Sequence, residues 1–476
     1  MLSRAFLCLL IFATVVTHAN AQTGKETTKT AQQQGSPAKN VHQLDVQQAV
    51  AIALDNVVQI QNAKIDLEIQ ASKNKEILGQ ALPQVSGTAG IQHYLQLPQI
   101  LFPDASATAI YSILKNEGVL PNAKVPDPEM RSVSFQQPWN TSVGATLTQL
   151  LFQPDVFVGL QARKTAINYA SSNIETAKQQ VKDQVYRSYY AILIAEKQRD
   201  YLLESITRLE KLYSDQETLH KNGFVEKLAL DQTLVQLTNL KTTANTVNNN
   251  IKLAYGSFKL SIGLPQADSV ILTEKLTTET VKEGVLDDGF KYEDRPEIRT
   301  LQLARDLQRL DVKRHKMSFF PTVAAQANYT VNGMGQNFIT DKNTTWIKSS
   351  FLGLSASIPI FTGFQRLERI KQAQLNLNKM DNTISNVKQQ IDMQQLAAKE
   401  SLRNALLNLD AQQRNIDLAN KVYNSTKTKF ENGMASNTDV LMAEESLQRA
   451  QSNYFDALYN AIVSKISYQT SIGKLQ

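Results

Sequence analysis

Residues 222–225 read Asn-Gly-Phe-Val, and residues 432–435 read Asn-Gly-Met-Ala at the same place in a second copy of one long pattern. The two glycines lie 433 − 223 = 210 positions apart, and the same offset separates the Ser-Ile-Gly triplets at 261–263 and 471–473. Two matches in the same order indicate an internal duplication, in which residues 377–473 repeat the pattern of residues 167–263.

Upstream of each Asn-Gly pair, small and apolar residues recur at alternating spacings of three and four, which is the pattern of a coiled-coil seam. Both copies carry the same interruption, two successive spacings of four, which locally unwinds a left-handed supercoil. The pattern predicts two long helices at 155–222 and 364–432 and two returning helices at 228–262 and 438–473. The seam positions before the interruption are Ile167, Ala170, Ile174, Ala177 and Val181 in the first copy, and Leu377, Met380, Ile384, Val387 and Ile391 in the second.

The length of 476 residues alone would suggest about three domains. The internal repeat favours one pseudo-symmetric unit over several independent domains. The formal net charge is +6 with 20% charged residues, and no basic cluster interleaved with aromatic residues is present in the sequence. We therefore expect no nucleic-acid partner.

The first 21 residues have the pattern of a secretory signal peptide: Arg4, an apolar run over 5–17, and a small-residue cleavage site at Ala19-Asn20-Ala21. Cys8 is the only cysteine and leaves with that segment, so disulfides and thiolate chemistry are excluded for the mature chain. Residues 22–43 are predicted to be a flexible leader. No later stretch approaches the roughly 18 apolar residues of a transmembrane helix, so a membrane crossing would have to be a β-barrel.

Two shorter helices precede the long ones, at 44–80 and 296–319. The pairs Ile60/Ile298 and Pro83/Pro321 share an offset of 298 − 60 = 238, which extends the duplication to these helices. The sequence thus divides into a first structural repeat at 44–263, an inter-repeat equatorial segment at 264–293 and a second structural repeat at 294–476.

After the two prolines the pattern changes to strict alternation, which predicts strands at 83–95, 139–152, 321–334 and 346–360. One face is apolar, the other carries small polar groups, and the lengths suit tilted strands that cross a bilayer. Tyr94, Trp139 and Trp346 stand at the outer ends, where an aromatic membrane girdle would lie. The Pro-rich stretch 96–138 is predicted to be an irregular outer loop, and Gly333-Met334-Gly335 a hairpin turn.

For any single strand, an ordinary soluble sheet with one solvated face is an equally good interpretation. The four strands together favour a membrane barrel. A barrel needs at least eight strands, so closure would require more than one chain. The long helix at 155–222 holds about 68 residues and would extend roughly 100 Å, which suits a hollow wall rather than a compact domain.

The chain resembles the TolC-like outer-membrane efflux proteins from about Leu44 onward. The resemblance is carried by Leu82-Pro83, by the turn Ile-Pro-Ile-Phe-Thr-Gly at 358–363, and by the segment from Asn432-Gly433 to Thr-Asp-Val-Leu-Met-Ala-Glu at 438–444. It implies a mainly α fold with a membrane β-barrel, in which a homotrimer builds a 12-stranded β-barrel continued by a 12-helix periplasmic α-barrel. It also implies outer membrane lipid, a periplasmic adaptor (membrane fusion) protein and an inner-membrane pump as partners.

In that family the two helix-helix turns form the gated periplasmic entrance and the adaptor contact. The matching residues here are Asn222, Gly223, Phe224, Val225, Asn432, Gly433, Met434 and Ala435. Asp439 matches an acidic position that can face the pore near its narrowest point. An alternative interpretation is that Asp439 completes a capping box with Ser436 at a helix N-terminus.

No catalytic constellation and no metal-ligand spacing is present in the sequence, so we expect neither an enzyme nor a cofactor. The predicted function is a passive outer membrane channel of a tripartite efflux or type I secretion system. The alternative is a secreted periplasmic coiled-coil structural or adaptor protein. An adaptor would place one helical hairpin between β-domains, whereas here both the hairpin and the strand pair are duplicated.

Overall fold

The computed structural model describes residues 40–274, 281–282, 289–338 and 342–475. The predicted signal peptide at 1–21, and the predicted leader up to residue 39, lie outside the described residues. The leader prediction is wrong at its end, because Val41–Leu44 form a strand, β1. This strand pairs in parallel with β6, Ser269–Leu272, inside the predicted inter-repeat segment. His42 Nε2 lies 3.0 Å from a carboxylate oxygen of Asp268 beside this pairing.

The single helix predicted at 44–80 is two helices, α1 (Val46–Asn56) and α2 (Val58–Gln80). Asp45 and Gln48 form a capping box that fixes the start of α1. Val57 is extended, with φ −68° and ψ 128°, and breaks the helix. The prediction of a continuous helix is therefore wrong at this residue.

Strand β2 (Gln84–His93) leads into an insertion, residues 94–138, and the chain returns in strand β5 (Trp139–Phe152). The insertion contains a two-stranded antiparallel sheet, β3 (Ile100–Asp104) with β4 (Glu129–Val133), and a helix between them, α3 (Ser106–Asn116). The prediction of an irregular loop over 96–138 is wrong. Its prolines lie outside α3, which leaves room for that helix.

The first long helix, α4 (Pro154–Lys221), has 68 residues and starts with proline, whose missing N–H costs nothing at that position. It turns at 222–226 into α5 (Lys227–Ser261). The second repeat starts with a short 3-10 turn at Tyr292–Asp294 and helix α6 (Pro296–Met317). Strands β7 (Thr322–Gly335) and β8 (Thr345–Ser357) follow, then α7 (Gln365–Glu431) and α8 (Asn437–Ser471).

Strands from both repeats form one antiparallel sheet in the order β2-β5-β7-β8. The second strand of the first repeat therefore pairs with the first strand of the second repeat. Gly333-Met334-Gly335 lies within β7, so the prediction of a hairpin turn there is wrong. Within the described residues the sheet is open, with β2 and β8 as its edges and no closed barrel in a single chain.

The helices pack as the repeat requires, α4 against α5 and α7 against α8, with α4 also contacting α8. Ile60 and Ile298, matched by the duplication, are both fully buried. Gly263 and Gly473 make matched close contacts: a Cβ on Gly263 would lie 2.7 Å from Asn56 Cβ, and a Cβ on Gly473 would lie 2.5 Å from the Asp294 carbonyl oxygen. Both glycines have φ of 72°, so each helix ends where only glycine fits.

Candidate functional site

The first candidate site is the turn between α4 and α5, which closes the helix with a Schellman motif. Phe224 N–H donates to the Leu219 carbonyl at 2.9 Å, and Gly223 N–H donates to the His220 carbonyl at 2.9 Å. Gly223 has φ of 78°, a left-handed conformation that favours glycine. The Asn222 side-chain amide donates to the Thr218 carbonyl at 2.9 Å and satisfies one more end carbonyl.

The turn between α7 and α8 repeats this geometry. Met434 N–H donates to the Lys429 carbonyl at 2.8 Å, and Gly433 N–H donates to the Phe430 carbonyl at 2.9 Å. Asn432 donates from its side chain to the Thr428 carbonyl at 2.8 Å. Gly433 has φ of 72°. The duplicated Asn-Gly motif therefore has a complete local explanation as a pair of helix C-caps.

The two turns lie at the same end of the folded molecule, and each leaves an apolar side chain exposed there. Phe224 is 80% exposed and Met434 is 70% exposed, while Val225 and Ala435 are half-buried. Apart from the adjoining backbone, no atom of the described residues lies within 4 Å of where a Cβ would stand on Gly223 or Gly433. A cleft of about 730 Å³ lies between the turns and is lined from both of them. Its lining includes Phe224, Val225, Gly433 and Ala435.

Helix α8 begins with a capping box. Ser436 Oγ accepts from Asp439 N–H at 3.2 Å, and the Asp439 carboxylate accepts from Ser436 N–H at 2.8 Å and from Ser436 Oγ–H at 2.7 Å. The hydrogen bond from the Ser436 hydroxyl has the larger effect on the Asp439 carboxylate, and the one from the Ser436 backbone N–H the smaller. Both hold the pKa of Asp439 below its ordinary value. Asp439 is also exposed. It therefore acts as a helix cap and still presents a charge to its surroundings.

The first copy lacks this cap. Glu226 precedes α5 and makes no side-chain capping bond. Instead, His220 Nδ1 lies 2.7 Å from the Val225 carbonyl and closes the turn from the α4 side. The two tips therefore share a backbone conformation but differ in the polar groups that hold it.

A buried amide network joins the two hairpins just above the tips. The Asn437 side-chain amide donates to the Ala229 carbonyl at 3.0 Å, and Asn437 Oδ1 accepts from Gln216 Nε2. Thr233 Oγ1 lies 3.4 Å from the same Asn437 oxygen. Gln216 and Thr233 are fully buried. Asn437 on α8 thus contacts both helices of the first hairpin.

A buried ion pair lies further along the same interface. Arg208 on α4 donates to the two carboxylate oxygens of Glu444 on α8 at 3.1 and 2.8 Å, and its guanidinium lies 5.4 Å from the Tyr423 ring centroid on α7. Burial alone would lower the pKa of Arg208. The hydrogen bonds to Glu444 and the negative charge of Glu444 outweigh this effect, so the pKa of Arg208 lies above its ordinary value. Burial, followed by the Glu444 charge, raises the pKa of Tyr423.

These two networks were missed by the sequence analysis. The available signal was the spacing along α8. Glu444 and Gln451 fall on the same helical seam as Val440 and Leu447, at alternating spacings of four and three. A polar residue at a seam position has to find a partner across the interface, because burying it unpaired is costly.

The second candidate site is the outer end of the sheet. Trp139 stacks on His93 with ring centroids 4.3 Å apart and meets the Phe338 ring edge-on at 5.0 Å. Tyr94 N–H donates to the Pro138 carbonyl at 2.8 Å beside them. Trp346 is 48% exposed on β8 at the same end. The structure therefore places Tyr94, Trp139 and Trp346 at one end of the sheet, opposite the end that continues into the long helices.

Among the described residues, no group of three or more His, Cys, Asp or Glu side chains could hold a metal ion. Within the same residues, no helix is long and apolar enough to cross a membrane.

Comparison with known proteins agrees with this architecture. The family described as "Outer membrane efflux protein" matches residues 292–474. The chain is 21% identical to "Outer membrane protein TolC" of Escherichia coli over 360 residues, which cover 70% of each chain.

Solved structures share the fold. The outer membrane protein VceC of Vibrio cholerae aligns with a TM-score of 0.67 at 14% identity, over 90% of this chain and 96% of that one. The outer membrane channel CmeC of Campylobacter jejuni aligns with a TM-score of 0.66 at 16% identity, over 90% of this chain and 85% of that one.

The proteins that this chain resembles are outer membrane efflux proteins and outer membrane channels. The predicted resemblance of this chain to the TolC-like outer-membrane efflux proteins is confirmed. The relatives are named as outer membrane proteins, which agrees with the predicted location of this chain in the outer membrane.

Proposed function

We propose that this protein is the outer membrane channel of a tripartite efflux or type I secretion system. In this proposal three copies form a passive exit duct, and an inner-membrane pump delivers substrates to it through a periplasmic adaptor. The protein itself is not an enzyme: it supplies the conduit and makes or breaks no covalent bond. The relatives that support this are outer membrane efflux proteins and channels.

The observation that carries the proposal is the open sheet. Edge strands β2 and β8 each have one side that no strand of the described chain pairs with. In a bilayer every backbone N–H and C=O must be paired within protein, so an open edge cannot face lipid. Four strands are too few to close on themselves. Three copies, joined β2 to β8, would provide a 12-stranded barrel without an edge.

The helices extend the same argument into the periplasm. Each chain contributes the two long helices α4 and α7, of 68 and 67 residues, and the two 35-residue helices α5 and α8. The long helices continue from the inner end of the sheet, so three copies would continue the barrel as a 12-helix wall. The buried fraction of α7 supports this, because only five of its residues are buried in the single chain. Lateral neighbours would cover the rest.

The exposed tips fit the adaptor contact. The Schellman turns at Gly223 and Gly433 keep both tips narrow, and Phe224 and Met434 offer apolar side chains that this chain leaves uncovered. Three copies would present six such turns around one entrance. We propose that an adaptor's helical tips dock there. Asp439, exposed near the start of α8, is the proposed source of charge at that entrance.

The competing function, a periplasmic coiled-coil adaptor, is disfavoured by the strand order. Both strand pairs join in one sheet, β2-β5-β7-β8, with the helical hairpins leaving from the same side. An adaptor with one hairpin between separate β-domains would not produce this pairing.

The test of the proposal is the mass of the detergent-extracted protein, measured by multi-angle light scattering with correction for bound detergent. The full 476-residue chain, with the predicted signal peptide included, has a mass of 53.1 kDa. We expect the extracted particle to contain three chains. A monodisperse single chain in mild detergent would contradict the proposal, because its sheet edges would then have no partner.

A further inference from the structure

The strands β2, β5, β7 and β8 contain a single Lys, Arg, Asp or Glu side chain between them, and it is Lys348 on β8. All four strands lie within the described part of the chain. Lys348 is exposed. Because its own sheet offers no carboxylate, any counter-charge for Lys348 must come from outside these strands.

The strand register places Lys348 on the apolar face of the sheet, because residues that pair across neighbouring strands point to the same side. Lys348 pairs with Val331, Val331 with Val143, and Val143 with Ala89. A second row lies four residues further along each strand and therefore on the same face. It consists of Leu352, Ala327, Leu147 and Val85.

The opposite face of the sheet would hydrate a charge more easily. Ser349, next to Lys348, pairs with Thr330, Thr330 with Gly144, and Gly144 with Thr88. Gln, Asn, Ser and Thr predominate on this face in β2, β5 and β7, and in the proposed barrel it lines the water-filled interior. Lys348 therefore faces the lipid, where a charge is costly unless it lies near an interface.

Trp346 indicates the depth of Lys348 in the membrane. It lies two residues nearer the outer end of β8, on the same face, and its indole lies over β7, where a Cβ on Gly333 would stand 2.9 Å from a ring carbon. Tryptophan favours the membrane–water interface. Two residues of a strand tilted by about 45° place Lys348 about 5 Å deeper than Trp346. The flexible lysine stem can span that distance and return the ammonium group to the headgroup level.

We infer that Lys348 binds the phosphate of a lipid in the outer leaflet, with the Trp346 indole beside it at the headgroup level. A phosphate is the anion that a bilayer supplies at that depth, and basic side chains near a membrane surface attract anionic lipids. The inference rests on the proposed function, because it needs the sheet to be part of a barrel in the membrane. In the trimer, β8 would lie beside β2 of a neighbouring copy, and β2 contains no Asp or Glu that could bind Lys348 instead.

Lipid binding to the detergent-extracted trimer tests the inference. The trimer is titrated with phosphatidylglycerol, whose headgroup has a net negative charge, and bound lipids are counted by native mass spectrometry. Phosphatidylcholine, whose headgroup is neutral overall, is the reference lipid. We expect Lys348→Met to weaken phosphatidylglycerol binding about five-fold and Lys348→Arg to preserve it. Lys227→Met is the matched control: it removes an exposed lysine at the start of α5, and it should bind as tightly as the unsubstituted protein.

A charge swap tests the assignment of the two faces. Lys348→Ser combined with Ser349→Lys keeps the composition and the net charge, and it moves the ammonium group to the opposite face because neighbouring strand residues point to opposite sides. We expect the swap to bind phosphatidylglycerol as weakly as Lys348→Met does. It should also shift the ion preference of the channel toward anions, since the charge then lines the interior. An unchanged ion preference would contradict the assignment of the faces.

The oligomer mass, measured on the same samples, separates this inference from the proposed function. Single chains of the unsubstituted protein would contradict both. Trimers in which Lys348→Met or the charge swap binds phosphatidylglycerol as tightly as the unsubstituted protein would overturn the inference and leave the proposed function standing. A loss of trimers in Lys348→Met that added lipid does not change would assign Lys348 to a contact between copies, and would also overturn the inference.

Discussion

Arg208 on α4 and Glu444 on α8 form a two-point hydrogen-bonded ion pair that joins the two helical hairpins of the chain. Only 2% of the Glu444 side chain is exposed, against 24% for Arg208. Ser205, fully buried, accepts a further hydrogen bond from the same guanidinium at 2.6 Å. The charge of the buried Glu444 carboxylate is therefore balanced by the Arg208 guanidinium. Removal of Arg208 would leave that carboxylate buried without a partner, which lowers the stability of the protein.

We expect Arg208→Met to destabilise the protein by about 3–5 kcal/mol, because it leaves the Glu444 carboxylate buried without a counter-charge. The double variant Arg208→Met/Glu444→Leu should recover much of that loss, since replacing both charges by apolar groups removes the desolvation cost. Thermal unfolding in detergent measures both. A double variant that is less stable than Arg208→Met would show that the pair contributes through specific geometry rather than through charge compensation.

The four helix-ending glycines should separate into two classes on substitution by alanine. Gly223→Ala and Gly433→Ala should cost only the left-handed backbone penalty of about 1 kcal/mol, because open space surrounds both positions. Gly263→Ala and Gly473→Ala should cost a further 1–3 kcal/mol or so, since the new methyl group meets Asn56 or Asp294. Unfolding temperatures of the four variants test this, and equal losses in all four would refute the packing argument.

Bulk at the tips should impair export without preventing assembly. Gly223→Trp and Gly433→Trp should still reach the outer membrane as trimers and fail to support export, because the indole obstructs the proposed adaptor contact. Gly118→Trp is a matched control. Gly118 has φ of 73° and open surroundings like the tip glycines, but it follows α3 in the insertion. Export lost equally in the control would mean that the tips have no special role.

Asp439→Asn and Ser436→Ala separate the two roles of Asp439. Ser436→Ala removes the capping hydroxyl and should raise the pKa of Asp439 toward its ordinary value, but it keeps the carboxylate charged at neutral pH. Asp439→Asn removes a charge that three copies would place around one entrance. We expect Asp439→Asn to lower cation preference in reversal-potential measurements and Ser436→Ala to leave it unchanged. If both variants have the ion selectivity of the unsubstituted protein, Asp439 acts only as a helix cap.

The sequence predicts the elements whose signals are local and repeated. The Asn-Gly turns, the Ser-Ile-Gly helix ends and the proline-to-strand transitions appear twice, and the structure places each pair in matched surroundings. The Ser436–Asp439 capping box is also visible from spacing alone, because its hydrogen bonds join residues three apart.

The features that the sequence analysis missed depend on contacts between distant residues. Strand β1 exists because Val41–Leu44 pair with Ser269–Leu272 far along the chain. The break at Val57 lies beside the close contact between Asn56 and Gly263. Helix α3 lies between β3 and β4, two strands that pair with each other across the Pro-rich stretch. Tertiary pairing outweighs local pattern in each case.

The current carried by single purified trimers in a planar lipid bilayer tests the central claim most directly. If three copies form a continuous duct, trimers added to one side should insert and produce uniform current steps, each from one channel. The step size should be the same from one insertion to the next, because a closed 12-stranded barrel has a fixed width. Trimers that insert into the bilayer but pass no current at either polarity would contradict the account.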